Sequence, residues 1–213
     1  MTPRAFAAAL AEGALPVDTR PLSAFAAGHV PGAVPIEFNL ADLAERAALL
    51  LPAGAAAAVH AEPASRIEAS VGLLADAGLR VLGHLEGGLE GWRAAGFPVA
   101  ALELLDVAEL HGGGHTVLDV REGYEFRYGH IAGARRLPSG EAWGTPAAAL
   151  EALRPDGPLA VVCSGEGRAA FVAAVLLRHG IPARLVRGGM YAWERAGYPT
   201  VRGQDAAAAG PQA

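Results

Sequence analysis

Val17-Asp18-Thr19-Arg20 and Leu118-Asp119-Val120-Arg121 are the same phrase written twice, 101 positions apart. Working outward at the same spacing, Phe25, Gly28-His29-Val30 and Gly32-Ala33 match Phe126, Gly129-His130-Ile131 and Gly133-Ala134. Further on, Gly87-Gly88-Leu89-Glu90-Gly91-Trp92 answers Gly188-Gly189-Met190-Tyr191-Ala192-Trp193. Ala95-Gly96-Phe97-Pro98 then answers Ala196-Gly197-Tyr198-Pro199. Order and spacing held over most of each half mark a duplicated domain, not a short solenoid unit. The boundary falls near Val99–Leu102, giving one domain over 1–101 and a second over 102–203. Residues 204–213, mostly Ala, Gly, Pro and Gln, read as a disordered tail.

Within the second copy, Thr116–Val120 is a short β-rich run and Leu159–Cys163 a buried-strand candidate. Over Gly167–His179, Ala170, Val172, Ala173, Leu176 and Leu177 recur at helical spacing, and Gly180 stops the helix. Ala183–Val186 reads as another strand, ended by Gly188-Gly189, with a short helix around Trp193. The first copy repeats the pattern with a strand at Ala56–His60, a helix from about Ser65 to Ala77, and Val81-Leu82. Alternating β and α predicts an α/β fold: two tandem domains, each a parallel sheet flanked by helices.

Composition narrows the function. The 213 residues carry a net charge of −5, 18% charged residues and no lysine, which excludes a polybasic nucleic-acid binder. No apolar run of about 20 residues is present, so no membrane helix is expected. The N-terminal stretch is alanine-rich and interrupted by Glu12, which argues against a secretory signal. A single cysteine excludes a disulfide framework and fits a reducing, cytoplasmic setting.

That cysteine carries the chemistry. Cys163-Ser164-Gly165-Glu166-Gly167-Arg168 follows an apolar strand and opens a helix. In open parallel sheets, ligands gather at the carboxyl ends of strands. Two glycines are expected to let the loop curl, so that free helix N–H groups face the sulfur. Those donors and Arg168 are expected to lower the thiol pKa and to hold an anion.

The two Asp-x-Arg…Gly-His-[Val/Ile] blocks, the two Gly-Gly…Trp…Ala-Gly-[Phe/Tyr]-Pro endings and the Cys-x4-Arg loop resemble the rhodanese family. The resemblance covers about residues 15–201 and is closest to tandem-domain sulfurtransferases, with an inactive first copy and a catalytic second. It implies transfer of a sulfane sulfur through a persulfide on Cys163, with Ser164, Gly165, Glu166, Gly167 and Arg168 binding substrate and Arg127 a further substrate contact. The implied partners are a small anionic donor, a thiol or cyanide acceptor and a sulfur-accepting protein, with neither metal nor organic cofactor.

The duplication supplies an internal control. Cys163 corresponds to Ala61, and its loop to Ala61-Glu62-Pro63-Ala64-Ser65-Arg66, which lacks the thiol and both glycines. Asp18, Arg20 and His29 nevertheless persist beside the missing thiol, so Asp119, Arg121 and His130 are assigned structural roles. Arg66 also persists, which leaves Arg168 between ordering the loop and binding an anion. Residues 1–100 hold six arginines and ten acidic residues, whereas 101–203 hold eleven of each, so positive charge gathers in the thiol copy.

Three other patterns carry less. Gly165-x-Gly167-x-x-Ala170 fits a loose dinucleotide fingerprint, but the next strand ends in Arg187 instead of an acid. His111-Gly-Gly-Gly-His115 offers two metal ligands in what reads as a surface loop. A cysteine phosphatase or arsenate reductase on the same fold is an alternative, but the related phosphatases resemble Cys-x5-Arg, one residue longer than the loop present. A non-enzymatic carrier or protein-binding tandem module is the remaining alternative.

Overall fold

The computed structural model describes residues 1–153 and 157–203, so the tail expected at 204–213 lies outside the described residues. The chain forms two compact units, Met1–Leu102 and Glu103–Ala213.

The first unit is a parallel sheet of β1 (Leu15–Asp18), β2 (Val34–Pro35), β3 (Ala56–His60) and β4 (Arg80–His84), ordered β2-β1-β3-β4. Its helices are α1 (Pro3–Ala11), α2 (Leu22–Ala27), α3 (Leu43–Leu50), α4 (Ile67–Asp76) and α5 (Gly88–Ala94). All four residues of β1 are buried, as a parallel strand covered on both faces requires. Thr2 caps α1 by accepting the Ala5 N–H at 3.3 Å, Pro3 opens its first turn, and Phe6 packs edge-on against Trp92 at 5.9 Å. The helix expected from about Ser65 is divided: Ala64–Arg66 is a 3-10 turn, and α4 starts only at Ile67. The Arg66 N–H bonds the Pro63 carbonyl at 2.9 Å, a three-residue spacing that tightens the helix entry.

The second unit has five parallel strands: β5 (Leu104–Leu105), β6 (Thr116–Asp119), β7 (Arg135–Arg136), β8 (Leu159–Val162) and β9 (Ala183–Val186), ordered β5-β9-β8-β6-β7. Around them lie α6 (Val107–His111), α7 (Gly123–Tyr128), α8 (Ser139–Ala142), α9 (Ala147–Glu151), α10 (Gly167–Arg178) and α11 (Gly189–Arg195). β6 and β8 each end one residue before the sequence-based limit, which places Cys163 just beyond its strand. In α10 every residue from Ala169 to Leu176 is buried, and Gly180, at φ +73°, turns the chain out. Leu105, Val117, Phe126, Ala160, Val162, Val186, Met190 and Trp193 share one core cluster. His111 stacks on Tyr198 at 4.1 Å, so it packs against an aromatic ring.

The parallel α/β architecture is therefore present twice. Among the described residues no helix is long and apolar enough to cross a membrane.

Candidate active site

Cys163 follows β8 at the carboxyl edge of the sheet and is only 2% exposed. Backbone N–H groups of Ala169, Gly165 and Arg168 point at its sulfur. Of the donors expected over Ser164 to Arg168, only Gly165 and Arg168 contribute, and Ala169 joins them. The expected lowering of the thiol pKa is not found. Burial pushes the Cys163 thiol up, and the N–H groups and the Arg168 charge offset that only in part. Desolvation wins because the donors stabilise a thiolate only locally, whereas burial removes nearly all of its water.

Arg168 does not stand free in this loop. Its Nη1 and Nη2 donate to Glu125 Oε2 and Oε1 at 2.7 and 2.8 Å, and Nη2 also donates to Ser164 Oγ at 2.9 Å. Ser164 Oγ in turn donates to Glu125 Oε1 at 2.7 Å. Arg168, with Ser164 and the Glu122 N–H also contributing, holds the Glu125 carboxyl down at about 2. Glu125 belongs to α7, whose start it fixes: its Oε2 accepts the Glu122 N–H at 3.0 Å in a capping box. Sequence reasoning missed Glu125. The internal control held the signal, since Ala24 occupies the matching position in the copy without a thiol.

The loop glycines serve differently from expectation. Neither Gly165 nor Gly167 has a left-handed φ, and a Cβ at either would meet open space. The constrained glycine is Gly189, at φ +55° beneath the loop. A Cβ there would strike the carbonyl oxygens of Gly165 and Cys163 and stand 2.9 Å from that of Ser164. The bare Gly189 lets α11 come close enough for Met190 and Tyr191 N–H groups to bond the Cys163 and Ser164 carbonyls at 2.8 and 2.9 Å. Glu166 is engaged on the same side, its Oε1 accepting the Gly188 N–H at 2.7 Å. Its carboxylate therefore ties the loop to α11 and is not held toward the sulfur.

Asp119, Arg121 and His130 form a buried clamp. Arg121 Nη2 donates to Asp119 Oδ2 at 2.6 Å and to the Gly129 carbonyl at 2.8 Å. His130 Nδ1 lies 2.9 Å from the Phe126 carbonyl, and its ring stacks on Phe126 at 3.6 Å. In the first unit Arg20 contacts Asp18 Oδ2 and the Gly28 carbonyl, both at 2.7 Å, and His29 stacks on Phe25 at 3.9 Å. One clamp built in both copies holds the strand-end turn whether or not a thiol follows.

Arg127 is exposed on the last turn of α7, and no hydrogen bond or ion pair among the described residues joins it to the cysteine loop. The first unit carries buried Ala61 at the cysteine position. His60 stands between Asp18 Oδ2 at 3.3 Å and Glu62 Oε1 at 3.2 Å. Arg66 lies over the Phe38 ring at 5.2 Å, on the wall of an open cavity of about 500 Å³ also lined by Glu37, Asn39, Asp42 and Arg46.

Fold and site together define a tandem α/β protein with one cysteine loop, its sulfur ringed by backbone donors. The chain belongs to the rhodanese-like domain family: the family's sequence model matches residues 2–95 and again 103–196. Among solved structures, it is similar to a rhodanese-related protein from Thermoplasma volcanium, with 32% identity over 46% of this chain and 97% of that one, TM-score 0.43. A probable thiosulfate sulfurtransferase shows 27% identity over 89% of this chain and 97% of that one, TM-score 0.42. A thiosulfate sulfurtransferase from Pseudomonas aeruginosa shows 24% identity, covering 96% of this chain and 43% of that chain, TM-score 0.41. No curated protein matches the chain.

Proposed function

We propose that the protein is a sulfurtransferase that carries a sulfane sulfur on Cys163. The observation that carries this reading is the ring of Gly165, Arg168 and Ala169 N–H groups on a strand-end sulfur. The family membership supports the same chemistry. The Cys163 thiolate attacks the sulfane sulfur of an anionic donor, thiosulfate in first place. With the second choice, 3-mercaptopyruvate, it attacks the thiol sulfur, the C–S bond breaks, and pyruvate leaves as its enolate with the bonding pair. With thiosulfate, a new S–S bond forms, the old S–S bond breaks, and sulfite leaves with the bonding pair. The persulfide anion rests against the loop donors. A thiol or cyanide then attacks the outer sulfur and departs as a persulfide or thiocyanate, returning the Cys163 thiolate.

Ser164, Gly165, Gly167 and Arg168 shape the binding loop, Arg168 by ordering it through Glu125. Glu166 holds the loop to α11. The first unit, with Ala61 in place of the thiol, is a non-catalytic partner domain. Neither a metal nor an organic cofactor takes part in this cycle, and the reducing cytoplasm suits a lone thiol. Steady-state kinetics tests the reading: a two-step ping-pong pattern with thiosulfate and cyanide is expected, abolished in Cys163→Ala. Undiminished thiocyanate production in that variant overturns it.

A further inference from the structure

An open cavity lies beside the first unit's counterpart of the cysteine loop. It holds about 500 Å³ between Glu37, Phe38, Asn39, Asp42, Arg46 and Arg66, a size suited to a small molecule. Arg66 is the counterpart of Arg168, but its circumstances differ. Arg168 is neutralised by Glu125, whereas Ala24 stands at that place in the first copy. Among the described residues, no carboxylate lies within ion-pair distance of Arg66. Its guanidinium lies over the Phe38 ring, with Cζ 5.2 Å from the centroid, a contact that positions the cation and leaves its N–H donors unused.

Two of the other charges on the wall cancel. Arg46 Nε donates to Asp42 Oδ1 at 2.9 Å, and its Nη2 donates to the Glu37 carbonyl at 2.6 Å. The Glu37 carboxylate itself joins no ion pair among the described residues. Asn39 Oδ1 accepts the Ala41 N–H at 3.0 Å, which leaves the amide NH2 as a further donor. One cation and one anion therefore line the same cavity, too far apart to pair with each other. This set belongs to the first copy alone. The Phe38 N–H bonds the Thr19 carbonyl at 2.9 Å, as the Ser139 N–H bonds the Val120 carbonyl at 3.0 Å. Glu37 and Phe38 thus stand where the thiol copy has Pro138 and Ser139.

We propose that this cavity binds a free α-amino acid with an apolar side chain, its carboxylate on Arg66 and its ammonium on Glu37. A zwitterion meets both unpaired charges at once, whereas a simple anion would be repelled by Glu37 and a simple cation by Arg66. The half-buried Phe38 gives the side chain an apolar wall. The first unit thereby has a ligand of its own, whatever chemistry Cys163 performs.

The test titrates the full chain with L-leucine, N-acetyl-L-leucine and L-leucinamide and follows the backbone amide NMR signals. L-leucine is expected to shift the Glu37, Phe38, Asn39 and Arg66 amides. It is expected to bind about tenfold more tightly than either derivative, each of which lacks one of the two charges. In Arg66→Gln the advantage over L-leucinamide should vanish and that over N-acetyl-L-leucine persist; Glu37→Gln should do the reverse. Both side chains are exposed, so neither variant removes packing, and each result is a ratio of affinities within one protein. The site is overturned if L-leucine, L-methionine and L-phenylalanine all leave these amides unmoved. It is overturned equally if the three leucine compounds bind alike, or if either variant keeps both advantages. Cys163→Ala should bind L-leucine as the wild type does, and binding lost with the thiol would overturn the placement in the first unit.

Discussion

Glu125 on α7 grips Arg168 in the first turn of α10 through two contacts of 2.7 and 2.8 Å, with Ser164 Oγ bonded to both residues. The loop's one fixed cation is thus already neutralised, and its task is to hold the loop in shape. In the first unit Ala24 stands where Glu125 does, and Arg66 lies over Phe38 instead.

Replacing Glu125 by Gln should slow persulfide formation by about tenfold or more, because Arg168 loses its ionised partner and one of its two acceptor oxygens becomes a donor. The pH dependence of stability separates the charge from the shape. The folded Glu125 carboxyl sits at about 2, below its ordinary value of 4.5. A depressed carboxyl contributes stability that is full above the unfolded value and disappears as pH falls toward the folded one. Urea unfolding between pH 5 and about 2 should therefore show a steeper acid loss in wild type than in Glu125→Gln. Parallel curves would contradict the assignment.

Gly189→Ala should destabilise the second unit by about 2–3 kcal/mol, from a left-handed φ and a Cβ driven into three carbonyl oxygens. Gly165→Ala, with ordinary φ and open space, should cost no more than about 0.5 kcal/mol. Thermal melting of the two variants checks the contrast. Equal losses would mean that α11 does not support the loop as described.

The donor half-reaction should accelerate as pH rises, because the thiolate attacks and burial pushes the Cys163 thiol up. The ascending limb in kcat/KM for thiosulfate should lie above the ordinary thiol value, and so should that of alkylation of the resting enzyme. A limb below neutrality would show that the loop donors outweigh desolvation.

Asp119→Asn should cost about 3–5 kcal/mol, since it leaves the buried Arg121 charge without its partner. Asp18→Asn should cost a similar amount through Arg20. Hydrogen exchange at the β6 and β1 amides, respectively, reads each loss in its own unit. A loss of sulfur transfer in Asp119→Asn with unchanged exchange would move Asp119 from structure to chemistry.

The fold was legible because the chain states it twice and because a central strand such as Leu159–Val162 is a continuous apolar run. The strands Ala56–His60 and Ala183–Val186 match residue for residue. What escaped was local. The 3-10 entry to α4 depends on the bond from Arg66 to Pro63, and α1 was not read from an alanine-rich stretch whose anchor is one buried phenylalanine. At the site, Cys163 and its helix were legible from the strand–glycine–helix pattern. Glu125, 38 residues before the thiol, was not, because a partner on a different helix leaves no mark in local spacing. The raised thiol pKa also escaped, since burial is a property of the packed unit. The roles expected of Gly165 and Gly167 fall to Gly189, which is distant in sequence but lies beneath the loop.

The central claim is that Cys163 carries the transferred sulfur. Intact-mass measurement after incubation with thiosulfate or 3-mercaptopyruvate alone tests it directly, with wild type beside Cys163→Ala. A gain of one sulfur in the wild type, removed by cyanide and absent from Cys163→Ala, is the predicted result. A wild-type mass that never changes with either donor, or an equal gain in Cys163→Ala, would contradict it.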